Sequence, residues 1–155
     1  MKFDTREDIE MPIEALFARI SDFEGYERAA MRRGAEVVRV DDLAQPGEGM
    51  RWKAAFDMRG KRRDIEVVLS EFDAPNNMVF DAESQGLDVR MLVDLVALSR
   101  ARTRLSIAVE LAPKTLSARL LVQSLKLARG NISKRFKLRV ADFAKEAEDR
   151  HRRSA

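Results

Sequence analysis

At 155 residues, 45% hydrophobic and 35% charged, the chain has the composition of one ordinary globular domain rather than of a disordered segment. It holds no cysteine, which excludes disulfides, thiol catalysis and cysteine-ligated metals and points to a cytoplasmic protein. The net charge of +3 is unevenly spread: residues 114–155 carry twelve basic and four acidic side chains, net +8, while the preceding 113 carry 17 basic and 22 acidic, net −5.

The opening MKFDTREDIE is too acidic for a signal peptide, and Asp94 interrupts even the apolar run MLVDLVAL, so no membrane span is expected. Residues 2–10 read as a first strand with Phe3 and Ile9 inward. Pro12 suits the first helical position, where its missing N–H costs nothing, and Glu14 favours the positive end of the helix dipole. Ile13, Leu16, Phe17 and Ile20 then form an i, i+3, i+4, i+7 stripe, so this short helix packs on something apolar. Gly25 loosens the chain before Tyr26, and RAAMRRGAE allows a further helical turn.

After Gly34 the character changes to strands. AEVVRV is short and β-branched and ends at the turn-rich DDLAQPGEG. Met50, Trp52, Ala54, Phe56 and Met58 alternate on one face of the next strand, and Ile65, Val67 and Leu69 continue that face beyond the RGK turn. DAPNN is a strong turn. Met78, Phe80, Ala82 and Ser84 follow, then the Gln85-Gly86 turn, then the long alternation Leu87, Val89, Met91, Val93, Leu95, Ala97. SRAR leads to Leu105, Ile107, Val109 and Leu111. The connections are short and no helix intervenes, so residues 35–111 are expected to form an antiparallel meander joined by the first strand.

A long helix is expected from about Thr115 to Glu148, covering the concave face of that sheet. Leu121, Leu125, Ala128, Ile132, Phe136, Val140 and Phe143 form its inner stripe, and Leu116, Leu120 and Leu127 widen the apolar arc over its first half, making that half the better buried. Gly130-Asn131 marks a bend, a close approach to the sheet or ligand, or a harmless weak point. Arg119, Lys126 and Lys137 fall on the outer side as a basic stripe, either a solvated complement to an acidic sheet or a surface for an anionic partner. Residues 1–150 thus read as one α+β domain, with 151–155 a basic tail that should fray.

Little in the chain suits catalysis. His151 is the sole histidine and falls in the tail, and neither a GxGxxG nor a P-loop sequence is present. Without a cysteine or histidine cluster, no metal site is expected, nor any cofactor. Tyr26, the sole tyrosine, is either a polar tip near a pocket mouth or a packing residue. By strand parity Glu71 and Arg63 share the inner face near strand ends, whereas Asp94 falls on the outer, wet face. Neither carboxylate has a second catalytic group to work with, so no catalytic residue is assigned.

The segment IEMPIEALFARISDFEGYE, with Pro12, Phe17, Asp22 and Phe23, and the element order that follows it resemble the START-like superfamily, nearest to the bacterial polyketide cyclase/dehydrase and lipid-transport group. The resemblance covers nearly the whole chain and implies a helix-grip fold, a curved sheet wrapped around the long helix with an apolar cavity between them. It also implies binding, and in some relatives transport, of a small hydrophobic molecule. Trp52, Phe56, Met58, Val67, Met78, Phe80, Met91 and Leu120 are the expected ligand contacts, although the same residues would equally build a solid core. Ser84 and Thr103 offer polar handles at the rim or simply satisfy local backbone. The alternative is an aromatase/cyclase-type enzyme acting on a polyketide-like substrate, which a buried acid or base in the cavity would favour. Transient contact of the basic helix with an anionic membrane is the expected further partnership, with nucleic acid disfavoured because the basic residues are not interleaved with exposed aromatics.

Overall fold

A computed structural model describes residues 1–154. The elements run β1 (Lys2–Ile9), α1 (Ile13–Ile20), α2 (Phe23–Arg32), β2 (Glu36–Arg39), β3 (Arg51–Met58), β4 (Lys61–Asp73), β5 (Asn77–Ser84), β6 (Leu87–Ser99), β7 (Arg102–Pro113), α3 (Leu116–Leu127) and α4 (Arg129–Ser154). The strands form one curved antiparallel sheet in the order β1-β7-β6-β5-β4-β3-β2, so the expected meander is present and β1 closes it by pairing with β7. Two of its hairpins turn on residue pairs that both have positive φ, Arg59-Gly60 (55° and 73°) and Gln85-Gly86 (48° and 84°). Such turns carry the twist that two-residue hairpins need.

Strand parity places the apolar side chains as expected until the fourth strand. Trp52 lies opposite Val67, Leu69 opposite Phe80, and Phe80 in turn opposite Met91, making one continuous concave row. Between Leu69 and Glu71 the register slips by one residue. This bulge turns Phe72 to the inside and leaves Glu71 exposed, correcting the inward position that unbroken alternation gave Glu71. Asp94 is exposed, as parity required.

The packed core lies under α1, α2 and the second half of α4. Leu16, Phe17 and Ile20 of α1 are buried, each contributing ~1.5–3 kcal/mol. Pro12 caps this helix rather than opening it. RAAMRRGAE is not an isolated turn: it ends the ten-residue α2, in which Gly25 is helical and donates its N–H to the capping Asp22 carboxylate at 3.1 Å. Phe23 of α2 joins an aromatic cluster with Trp52, Phe72 and Phe80, at ring separations of 5.7, 6.2 and 6.2 Å. Phe17 stacks on the same cluster through Phe72 at 5.3 Å.

The C-terminal helix is two helices. It breaks at Ala128, two residues before the Gly130-Asn131 pair at which a bend was expected, and an added Cβ at Gly130 would meet nothing. Gly130 therefore makes no close approach to the sheet. Helix α4 packs along β1 with Phe3 against Phe136, and buries Val140, Ala144 and Ala147. It runs to Ser154, so residues 151–154 are helical rather than frayed, while Ala155 lies outside the described residues. Helix α3 faces the sheet with Ala118, Leu121, Val122 and Leu125, whereas Leu116, Leu120 and Leu127 are exposed. The first half of the helical segment is thus not the better buried one. The three leucines differ from the inward expectation because α3 is a separate helix that buries only the narrow stripe of Ala118, Leu121, Val122 and Leu125.

Candidate ligand-binding site

Where α3 crosses the free ends of the β3–β4 and β5–β6 hairpins, a concavity of about 410 Å³ opens between helix and sheet. Its apolar wall comes from Phe56 and Met58 of β3, Ile65 of β4, Leu87 and Val89 of β6, and Ala118 and Leu121 of α3. Phe56, Met58, Leu87, Val89 and Leu121 are only half-buried and stand outside the main core cluster. Lys61, Arg63, Ser84, Gln85, Thr115 and Ser117 supply the polar part. Among the described residues, no carboxylate or histidine lines it.

The helix is held over this space by its own N-terminus. Thr115 caps α3 by accepting the Ala118 N–H at 3.1 Å, and the Lys114 N–H donates to the Gly86 carbonyl at 2.6 Å. Gly86 is required here twice over, since its φ is positive and a Cβ would collide with the Thr115 side chain. Farther along α3, Arg59 of the β3–β4 turn donates to Ser124 Oγ. Two hairpin tips therefore tie down a helix that buries only small or medium side chains.

A second, smaller concavity of about 190 Å³ lies between α2 and the sheet, lined by Phe23, Tyr26, Val37, Trp52, Val67 and Phe80 among others. Tyr26 edges it while its hydroxyl donates to the Ile20 carbonyl at 2.8 Å. Burial of that hydroxyl pushes its pKa up to about 12, with Arg19 opposing and Asp22 adding to the shift.

The eight expected contacts therefore do not share one space. Phe56 and Met58 line the concavity under α3, and Trp52, Val67 and Phe80 line the one under α2. Met78 is fully buried in the core and Met91 packs against it. Leu120 is 64% exposed on the outer face of α3, and its neighbours Ala118 and Leu121 hold the inner position. Ser84 reaches the larger concavity, though its hydroxyl already donates to the Asp64 carbonyl. Thr103 is not at a rim: it is completely buried and donates to the Met11 carbonyl at 2.8 Å. Lys61 and Ala118 were not singled out from sequence. Parity along β4, counted back from Ile65 through Arg63, would have found Lys61, and helical spacing counted back from Leu125 and Leu121 would have found Ala118.

The sequence matches no family model, and comparison with curated proteins finds none that matches. Solved structures do resemble it. The Zhui aromatase/cyclase from a Streptomyces species superposes with a TM-score of 0.67 at 12% identity, over 97% of this chain and 94% of that one. A protein from Thermus thermophilus gives 0.63 at 16% identity, over 95% and 97% of the two chains. A START superfamily protein from Mycobacterium smegmatis gives 0.54 at 12% identity, over 86% and 95%. At these identities the likeness speaks for architecture, which agrees with the strand order and the helical cover described above: the chain has the START-like, helix-grip fold.

Proposed function

We propose that the protein binds a small hydrophobic molecule in the concavity between the sheet and α3. One observation carries the reading: five large apolar side chains stay half-buried around about 410 Å³ of space, outside the main core cluster. That volume lies within the range of small-molecule sites, and the wall is apolar with a few polar groups at one side. The titratable groups that line it are Lys61 and Arg63, and this favours binding or transport over aromatase/cyclase-type chemistry, which needs a placed acid or base. Filling the site tests the proposal. Ala118→Trp should leave the far core intact but abolish retention of the organic molecules extracted from gently purified wild-type protein and identified by mass spectrometry. Equal retention by the variant would overturn the assignment of the site.

The outer face of α3 supports a membrane as the place of ligand exchange. Leu116, Leu120 and Leu127 are 74%, 64% and 93% exposed, and Arg119, Lys126 and Arg129 are exposed on the same stretch of chain. Leucines flanked by basic side chains match an anionic headgroup layer over an apolar interior.

A further inference from the structure

We infer that the ligand of the α3 concavity is an amphiphile whose anionic head, a carboxylate, is held by Arg63. This deepens the binding proposal and rests on it. The chain has four half-buried arginines, and three of them meet a carboxylate: Arg19 with Glu146, Arg39 with Asp41, Arg104 with Asp8. Arg63 is the fourth and meets none among the described residues. Its one partner is neutral, the Gln85 side-chain oxygen, which accepts from Nη1 at 3.3 Å. Its Nε is buried with no acceptor among the described residues; the Nε of Arg19 is likewise orphaned, but Arg19 keeps Glu146 on Nη2.

The free edge is informative. Arg39 and Arg104 both grip their aspartates through Nε and Nη2, with Nε distances of 2.8 Å in each case. With Nη1 of Arg63 turned to Gln85, Nε and Nη2 are the edge left over, the same fork that takes a carboxylate twice elsewhere in this molecule. A buried N–H without an acceptor is costly, and a planar carboxylate meeting it after a small side-chain rotation removes that cost. Lys61, exposed at the same wall, adds a second positive charge, and no acidic side chain of the lining competes for either. Phe56, paired across the strands with Arg63, forms with Leu87 and Leu121 the apolar part against which a tail would lie. Arg62, next in sequence, shows the contrast: it faces outward and pairs with Glu36 and Asp64.

Sodium decanoate and 1-decanol share a tail and differ in charge, so calorimetric titration of both separates head from tail recognition. The full-length protein should bind decanoate at least about tenfold more tightly than decanol, the usual advantage of a charge-assisted hydrogen bond. Arg63→Gln should lower decanoate affinity to near that of decanol in the same variant, and Arg63→Lys should keep part of the difference; matching thermal melts establish that the variants are folded. Equal affinity for the two alkyl compounds in the wild type, or a decanoate preference that survives Arg63→Gln, would overturn the inference. If both bind equally and Ala118→Trp abolishes both, the concavity stands and only the anionic head is wrong. If neither binds, the binding proposal falls and this inference with it.

Discussion

Individual side chains divide into those that fill space and those that border it. Leu69 is completely buried in the core, so Leu69→Ala should cost about 2–5 kcal/mol in chemical denaturation. Leu87 borders the concavity and is half-buried, so Leu87→Ala should cost less than about 2 kcal/mol, because the lost contacts are fewer and the added space joins an existing opening. A penalty at Leu87 as large as at Leu69 would mean that the site is filled core. Tyr26 gives a second residue-level check, since it is the only tyrosine and its ionisation can be followed by absorbance. Its hydroxyl should titrate near 12 in the folded protein and near 10 when unfolded. A folded pKa raised above the unfolded one leaves this contribution to stability intact below pH ~10 and removes it as pH climbs toward 12. A folded-state midpoint near 10 would show that the hydroxyl is open to water rather than buried.

Among the elements, α3 stands apart. Its inward residues are Ala118, Leu121, Val122 and Leu125, it is separated from α4 by the break at Ala128, and its outer face exposes leucines that a purely structural helix would not need. Sequence periodicity located the helical segment and its inner stripe at Leu121 and Leu125, but not its division at Ala128 nor the outward position of Leu116, Leu120 and Leu127. The basic residues around it set the next expectation. The protein should sediment with vesicles containing anionic lipid and not with neutral ones, the binding should fade as salt rises, and Leu127→Ser should weaken it. Salt-insensitive or negligible binding to both vesicle types would leave the stripe as a solvated face. Elsewhere alternation served well, from Trp52 through Met91, and failed at one point: the bulge before Glu71 reverses parity, and nothing in LSEFD announces it.

For the whole molecule, the architecture was legible in the sequence because turns such as DAPNN and Gln85-Gly86 punctuate clean alternations, and short connections leave a meander as the simple solution. The site was legible only in part. Phe56 and Met58 border the larger concavity, but Trp52 and Phe80 are engaged with Phe23 of α2, a partner that spacing along the strands does not disclose. The molecule is consequently polarised, with an aromatic core under α1 and α2 at one end and an open, cation-edged space under α3 at the other. Helix α4 packs at the first of these ends, its Phe143 ring lying beneath the Arg19 guanidinium of α1 at 5.4 Å. Backbone amide shifts in a nitrogen-15-labelled sample titrated with decanoate test that polarity and the binding proposal together. Shifts should concentrate at residues 56–65, 84–89 and 115–121 and leave 23–30 unmoved. Shifts centred on 23–30 and Trp52, or none at saturating decanoate, would contradict the account.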